Sequence, residues 1–408
     1  MSPPHIHPSR HLSGVHYEIR GGLARKAEEL ERAGFEIIKL NIGNPGAFGF
    51  RMPETMRRAI VENLALAEPY SHQKGIFPAR EAVVMHQQDR GVLDVSADEV
   101  FIGNGVSELI MMCTRALLNP GDEVLIPSPD YPLWTAAVTI HGGKPVHYSC
   151  RPERGFTPDP AEVEELITDR TRAIVVINPN NPTGAVYSRE ILTALADLAN
   201  RHHLVMFTDE IYDEMLYDGA EFVPMATLAR GTLCGTFSGL SKVYRACGLR
   251  VGWVSFSGEK AHANEYLEAI DLLASLRLCA TVPGQWAVQT ALGGYQSIFE
   301  LTSPGGRLYE TRAALLEGVA KSNYLELAPP PMGAMYAFVK VNGSLTNGFD
   351  DEQFALDLLE RKHVLIAPGH SFNVDYQTHF RTTLLPEAPR MRHVLELVEE
   401  LLDEYAEA

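Results

Sequence analysis

Between about residues 98 and 210 the chain alternates short apolar runs with longer amphipathic stretches. Val100-Phe101-Ile102, Val124-Leu125-Ile126, Ala173-Ile174-Val175-Val176-Ile177 and Leu204-Val205-Met206-Phe207 read as buried strands. Residues 109–118 and 189–200 carry apolar positions at helical spacing, and Asn119-Pro120-Gly121 stops the first of these helices. The runs are apolar throughout rather than alternating, as a strand covered on both faces requires. The rhythm predicts an α/β fold with a mostly parallel sheet covered by helices.

Different patterns flank this region. Residues 22–33 place Leu23, Ala27 and Leu30 on one helical face, and Gly34 ends the helix. After about residue 300 a helix over 308–320 leads into the turn-rich Ala328-Pro329-Pro330-Pro331-Met332-Gly333. A strand over 336–341 and a helix over 391–405 follow, so the end of the chain reads as a smaller α+β domain. The first dozen residues, rich in Pro and His, read as a frayed terminus. His5 and His7 are weak metal candidates there, and no metal site is expected.

Composition narrows the function classes. The 408 residues hold 35 Lys and Arg against 52 Asp and Glu, a formal charge of −17. Such a chain repels phosphate backbones and anionic lipid, so neither nucleic acid nor membrane is expected as a partner. The five cysteines, at 113, 150, 234, 247 and 279, are odd in number and show no Cys-x-x-Cys spacing. This predicts reduced thiols and a cytoplasmic protein. The N-terminus lacks the charged start and apolar run of a signal peptide.

In open α/β sheets, ligands gather at the carboxyl ends of the strands. Gly103-Asn104-Gly105-Val106-Ser107 lies between a strand and a helix start, where free amides and the helix dipole suit a phosphate. Glu108 stands where a dinucleotide fingerprint needs its third glycine, so a plain turn fits this segment as well as a phosphate cradle does. Asn178-Pro179-Asn180-Asn181-Pro182-Thr183-Gly184 is a rigid polar turn after another strand. Thr208-Asp209-Glu210-Ile211-Tyr212 offers an acid that either caps the next helix or holds a cationic ligand group. Lys242, in Ser238-Gly239-Leu240-Ser241-Lys242, is bracketed by small residues at the end of an apolar stretch, with Arg250 eight residues on. A lysine in a dry or cationic pocket can act as an amine nucleophile.

The ordered set of these segments, together with a late arginine, resembles the class I, fold-type I aminotransferases that use pyridoxal 5'-phosphate. Leu40-Asn41-Ile42-Gly43-Asn44-Pro45, Asp130-Tyr131-Pro132-Leu133-Trp134 and Gly293-Gly294-Tyr295-Gln296-Ser297 look most like the bacterial glutamate–pyruvate (alanine) branch. The resemblance implies a fold-type I transferase. Its expected parts are a flexible terminus (1–12), an N-terminal segment packing with the small domain (13–50), a large cofactor-binding domain (51–300) and a small domain (301–408).

The resemblance also assigns roles. Lys242 would bond to the cofactor aldehyde and, once released, move the substrate Cα proton. Asp209 would pair with the ring N–H, Asn181 and Tyr212 would donate to the ring oxygen, and Tyr131 would stack on the ring. Val106, Ser107 and Arg250 would hold the phosphate, with Tyr70 reaching it from a second subunit of a homodimer. Arg381 would grip the substrate carboxylate in a bidentate pair, helped by the Gly43 amide and Asn181. Relatives often carry a hydroxyl three residues before the lysine. Here Gly239 stands there, and Ser238 and Ser241 are the replacement candidates.

The implied reaction moves an amino group between L-alanine and 2-oxoglutarate by a ping-pong route. Other small apolar or aromatic amino acids, or a β-lyase reaction, remain open on the same motifs. A sensor domain fused to a DNA-binding module is disfavoured, because only about forty residues precede the enzyme-like region. Arg20 is the candidate partner for the second carboxylate of glutamate, with a surface arginine as the equal alternative.

Overall fold

The computed structural model describes residues 6–15, 21–346 and 348–407. The apolar runs assemble into a seven-stranded sheet: β1 (Val100–Asn104), β2 (Glu123–Ser128), β3 (Lys144–Ser149), β4 (Thr171–Ile177), β5 (Val205–Asp209), β6 (Leu233–Gly239) and β7 (Val251–Gly258). Their spatial order is β1-β7-β6-β5-β4-β2-β3. The pairings β2–β3, β2–β4, β4–β5 and β5–β6 are parallel, and β7 runs antiparallel to both β1 and β6.

Each face of this sheet is buried in its own apolar layer. Along β4, Ile174 and Val176 enter one cluster, while Ala173, Val175 and Ile177 enter the other. Period-two alternation thus puts apolar residues on both faces, which is why the run had to be continuous. Each such Val or Ile side chain contributes about 1.5–3 kcal/mol relative to exposure.

The structure differs from the sequence reading at a decisive place. Gly103 and Asn104 belong to the strand rather than to a turn, because β7 pairs with them through Gly252 and Val251. The following helix consequently begins at Val106, not Leu109, and spans Val106–Leu117. Strands β3, β6 and β7 were not among those read from the sequence. β7 carries Trp253, Val254 and Phe256 among small residues, a buried apolar segment that could have signalled it.

A four-stranded antiparallel sheet forms from β8 (Leu325–Glu326), β9 (Tyr336–Val341), β10 (Ala367–Pro368) and β11 (His379–Thr383), in the order β10-β11-β9-β8. The helices Arg307–Lys321, Asp351–Lys362 and Ala388–Glu407 accompany it. The N-terminal helix Gly22–Arg32 is followed by Gly34 at φ +99°. Ala27 and Ile37 share a buried cluster with Leu359 and Leu365, and Ile38–Lys39 pairs in parallel with Val364–Leu365. Before it, Arg10–Leu12 forms a short 3-10 turn in which the Ser9 hydroxyl accepts from the His11 amide. Regular backbone therefore exists within the stretch expected to be unstructured, with exposed side chains.

Candidate active site

A cavity of about 800 Å³ opens at the carboxyl ends of the parallel strands. Four strand ends and one helix start deliver side chains to it, and the small sheet closes it with Tyr336 and Arg381.

After β1, Gly105 takes φ +83°, a conformation that favours glycine. A Cβ at Gly105 would collide with the Arg250 guanidinium, and one at Gly252 would collide with the Val106 amide. These two glycines let Arg250 lie against the helix start. Val106 and Ser107 are the first residues of that helix and line the cavity with Arg250. Their amides lack intrahelical acceptors, as the first amides of any helix do. Arg250 donates to the Cys247 carbonyl at 3.0 Å and the Asn104 carbonyl at 3.4 Å. Glu108 is turned back onto its own strand, accepting from the Asn104 amide at 2.7 Å, and pairs with Arg277 at 3.1 Å. It leaves the helix start free for an anion.

Asp209 ends β5 and is buried. Burial pushes its carboxyl up from 3.8 to about 6; the Trp134 indole, the Ile211 amide and Lys242 pull the other way. Trp134 Nε1 donates to it at 3.3 Å and the Ile211 amide at 3.4 Å. No ion pair of Asp209 occurs among the described residues, so this acid faces the cavity without a cation on it. Trp134 stood in a recognised motif without a role; its indole N–H now has one.

Lys242 follows β6, lines the cavity, and donates from Nζ to the Gly43 carbonyl at 2.8 Å. Ser241 lines the cavity beside it, whereas Ser238 is buried within β6 and is not part of the lining. A side chain at Gly239 would run into the Val251 carbonyl, 2.7 Å from its Cβ. The hydroxyl missing at that position therefore has no room here, and Ser241 is the serine that reaches the cavity.

Tyr131 lines the wall after β2. Next to it, Asp130 is fully buried and accepts from Asn373 Nδ2 at 2.8 Å and from Thr135 Oγ1 at 2.6 Å, which ties the Tyr131 turn to the segment beside Phe372.

Arg381, on β11, is 1% exposed. Its guanidinium lies 4.3 Å from the Tyr336 ring and 4.6 Å from the Phe372 ring. Nη1 donates to Asn181 Oδ1 at 2.9 Å, Nη2 donates to the Asn41 carbonyl, and the buried Nε has no partner. No carboxylate pairs with it among the described residues. A dry arginine held between rings, with an orphaned donor, is built to receive a planar anion.

Tyr336 was not singled out by the sequence. Its hydroxyl accepts from Tyr212 at 3.3 Å. Burial raises the Tyr336 phenol, but Lys242, Arg381 and the Tyr212 hydrogen bond bring it below its ordinary value, whereas burial drives Tyr212 well above. A Cβ at Gly43 would strike the Tyr336 hydroxyl, so that position needs glycine.

The cavity thus brings together Gly43, Val106, Ser107, Tyr131, Asn181 and Asp209, and with them Tyr212, Ser241, Lys242, Arg250 and Arg381. Tyr70 lies outside it, 79% exposed. Arg20 falls outside the described residues.

The arrangement fits a phosphorylated, ring-bearing cofactor. Gly105 leaves room for the Arg250 guanidinium beside a helix start with free amides, Asp209 carries no cation among the described residues, and Lys242 and Arg381 line the same cavity.

Comparison with known proteins agrees. The family model for aminotransferase class I and II matches residues 36–398. The glutamate-pyruvate aminotransferase AlaA of Escherichia coli is 48% identical over 386 residues, covering 95% of each chain. The alanine aminotransferase of Mycobacterium tuberculosis is 48% identical over 402 residues, covering 97% of this chain and 92% of its own. A crystal structure of an aminotransferase from Escherichia coli superposes with a TM-score of 0.96 at 46% identity, covering 98% of this chain and 99% of that one. The chain belongs to the class I and II aminotransferase family, with the fold-type I architecture.

Proposed function

We propose that this aminotransferase exchanges amino groups between L-alanine and 2-oxoglutarate, giving pyruvate and L-glutamate, with pyridoxal 5'-phosphate as cofactor. The observation that carries the reading is the unpaired Arg381, held within the same cavity as Lys242 and Asp209. The near-half identity to a glutamate-pyruvate and an alanine aminotransferase supports the substrate pair.

The cofactor, when bound, supplies an aldehyde for the amino group and a ring that withdraws electrons from the substrate Cα. This chain's residues do the rest. Val106, Ser107 and Arg250 hold the phosphate by amides, a hydroxyl and a guanidinium. Asp209 holds the ring nitrogen in its protonated form, while Asn181 and Tyr212 donate to the ring oxygen and Tyr131 stacks on the ring. Arg381 fixes the substrate carboxylate, aided by Asn181 and the Gly43 amide, and so orients Cα. Lys242 Nζ takes the proton from Cα. Its Nζ donates to the Gly43 carbonyl in this structure and can act as base once released from it.

We also propose a homodimer in which Tyr70 of a second copy completes the phosphate site. Val61, Leu64, Leu66 and Phe77 are exposed along the same stretch as Tyr70. Several exposed apolar side chains along one stretch support an interaction surface there. The proposed division into 13–50, 51–300 and 301–408 is supported by the pairing of Ile38–Lys39 with Val364–Leu365.

The test is the visible spectrum of the purified protein. The expected course is a yellow band that bleaches with L-alanine and returns with 2-oxoglutarate, without release of ammonia. Lys242→Ala should abolish that cycle, with a loss of at least about 10⁴-fold. A band unmoved by alanine, or ammonia in the product, would overturn the substrate pair or the transfer reaction respectively.

A further inference from the structure

An enzyme that serves alanine and glutamate through one cavity meets one carboxylate in every substrate and a second in only half of them. Arg381 answers the first. Among the described residues four cations line the cavity: Lys242, Arg245, Arg250 and Arg381. Lys242, Arg250 and Arg381 have tasks in the proposed reaction. Arg245 has none, and among the described residues Asp209 is the only acid in the lining. A cavity of that composition in a chain of charge −17 is a local cationic site suited to dianions.

Arg245 is held firmly but not neutralised. It closes a turn from Lys242, its amide donating to the Lys242 carbonyl at 3.0 Å, with φ at +54°. A non-glycine residue keeps that backbone conformation only where its surroundings hold it there. The guanidinium donates to the Val243 carbonyl at 2.5 Å, the Arg51 carbonyl at 3.3 Å and Ser297 Oγ at 2.7 Å. All three acceptors are neutral. Two of the five guanidinium N–H groups are left over. Among the described residues no carboxylate lies within ion-pair distance, and Glu300 acts on Arg245 only from further away. Arg90, Arg277 and Arg312, also withdrawn from solvent, each hold an acid within 3.1 Å. Arg245 stands apart from them as a positioned, half-buried cation in the cavity lining without an anion of its own.

We infer that Arg245 binds the second carboxylate of the dicarboxylic substrate, and so makes glutamate and 2-oxoglutarate acceptable beside alanine and pyruvate. The inference rests on the substrate pair proposed above. The residue determines specificity and takes no part in proton transfer.

The experiment uses the cofactor-loaded enzyme with Arg245→Gln and Arg245→Lys. Affinity for glutarate and for propionate is read from the absorbance of the bound cofactor, and single half-reactions are followed with glutamate and with alanine. Losing a charge-assisted pair should weaken glutarate and glutamate binding by about 10- to 100-fold. Propionate and alanine should stay within about threefold, and Arg245→Lys should fall between the two. Equal losses on both substrate pairs would mean that Arg245 only shapes the Lys242 turn, and would overturn the inference. So would unchanged glutarate affinity in Arg245→Gln with a selective loss in Arg20→Ala. Failure of the unaltered enzyme to exchange with glutamate would instead sink the substrate reading itself.

Discussion

Asp209 and Glu210 are neighbours in sequence, both are buried, and they meet opposite fates. Asp209 faces the cavity and, among the described residues, receives two neutral donors, the Trp134 indole and the Ile211 amide. Glu210 faces the interior behind the turn, where Arg90 Nη2 lies at 3.0 Å and the Met225 amide donates at 3.0 Å. Arg90 also holds Asp213 at 2.9 Å and stacks on Phe222. The arginines repeat the contrast: Arg90 is matched by two acids, Arg381 by none among the described residues. On the structural side the fold closes its own charge pairs. On the cavity side it leaves charges incomplete, as the proposed binding of a ring nitrogen and a substrate carboxylate requires. Buried charge without a partner is costly, so its retention on one side only is the physical mark of a binding site.

The largest break in this contrast comes from Asp209→Ala. It should lower transamination by about 10⁴-fold, equal to about 5–6 kcal/mol of barrier, while the melting temperature of the cofactor-free protein holds or rises. Steady-state rates and thermal melts of the two proteins check this. A large loss of stability would show that Asp209 was already satisfied by the fold.

The mirror substitution, Arg90→Met, should act on folding first. It strands Glu210 and Asp213 as uncompensated buried acids, at a cost of about 3–5 kcal/mol. Denaturant titration reads that loss. Any effect on turnover should follow from the loosened Asp209–Tyr212 turn rather than from substrate affinity.

The smallest effect is in pH dependence. Asp209 ionises at 3.8 ordinarily and at about 6 in the folded cofactor-free protein. Between those values the unfolded chain has lost the proton and the folded chain retains it. Folding stability therefore falls as pH rises from about 4 to about 6 and then levels, by on the order of 3 kcal/mol. Glu210, raised by burial from 4.5 to about 7 with Arg90 opposing, adds a second decline of the same sign. Melting curves of cofactor-free Asp209→Asn across this range should lose the first decline and keep the second. Loaded enzyme should show the first decline weakened, because the ring nitrogen supplies the missing cation.

The buried strands β2, β4 and β5 were legible because an unbroken apolar run between breakers has few other uses, and sheet alternation turned those runs into two cores. The chemistry-bearing turns were legible because strand ends are where an α/β sheet exposes polar residues. Lys242 and Asp209 could be named before their neighbours were known for that reason, whereas Arg250 was picked out by its spacing of eight residues from Lys242 in the resembled motif set. β3 was not legible, since its partly polar stretch acquires strand character only from its partner in the sheet; in β6 and β7, Gly and Ser interrupt the apolar run although both strands are buried.

The amino-acid sequence alone determined the α/β class, the order of the motifs and the identity of the charged groups, because these depend on local pattern and side-chain chemistry. The tertiary structure decided which acid faces the cavity, that Tyr336 and Trp134 belong to the site, that Ser241 rather than Ser238 reaches it, and that Arg245 lines it without an anion. Those outcomes depend on contacts between residues up to hundreds of positions apart, such as Arg381 with Asn41 and Asn181. Burial and pairing are properties of what surrounds a residue in space, and no stretch of sequence carries its own surroundings.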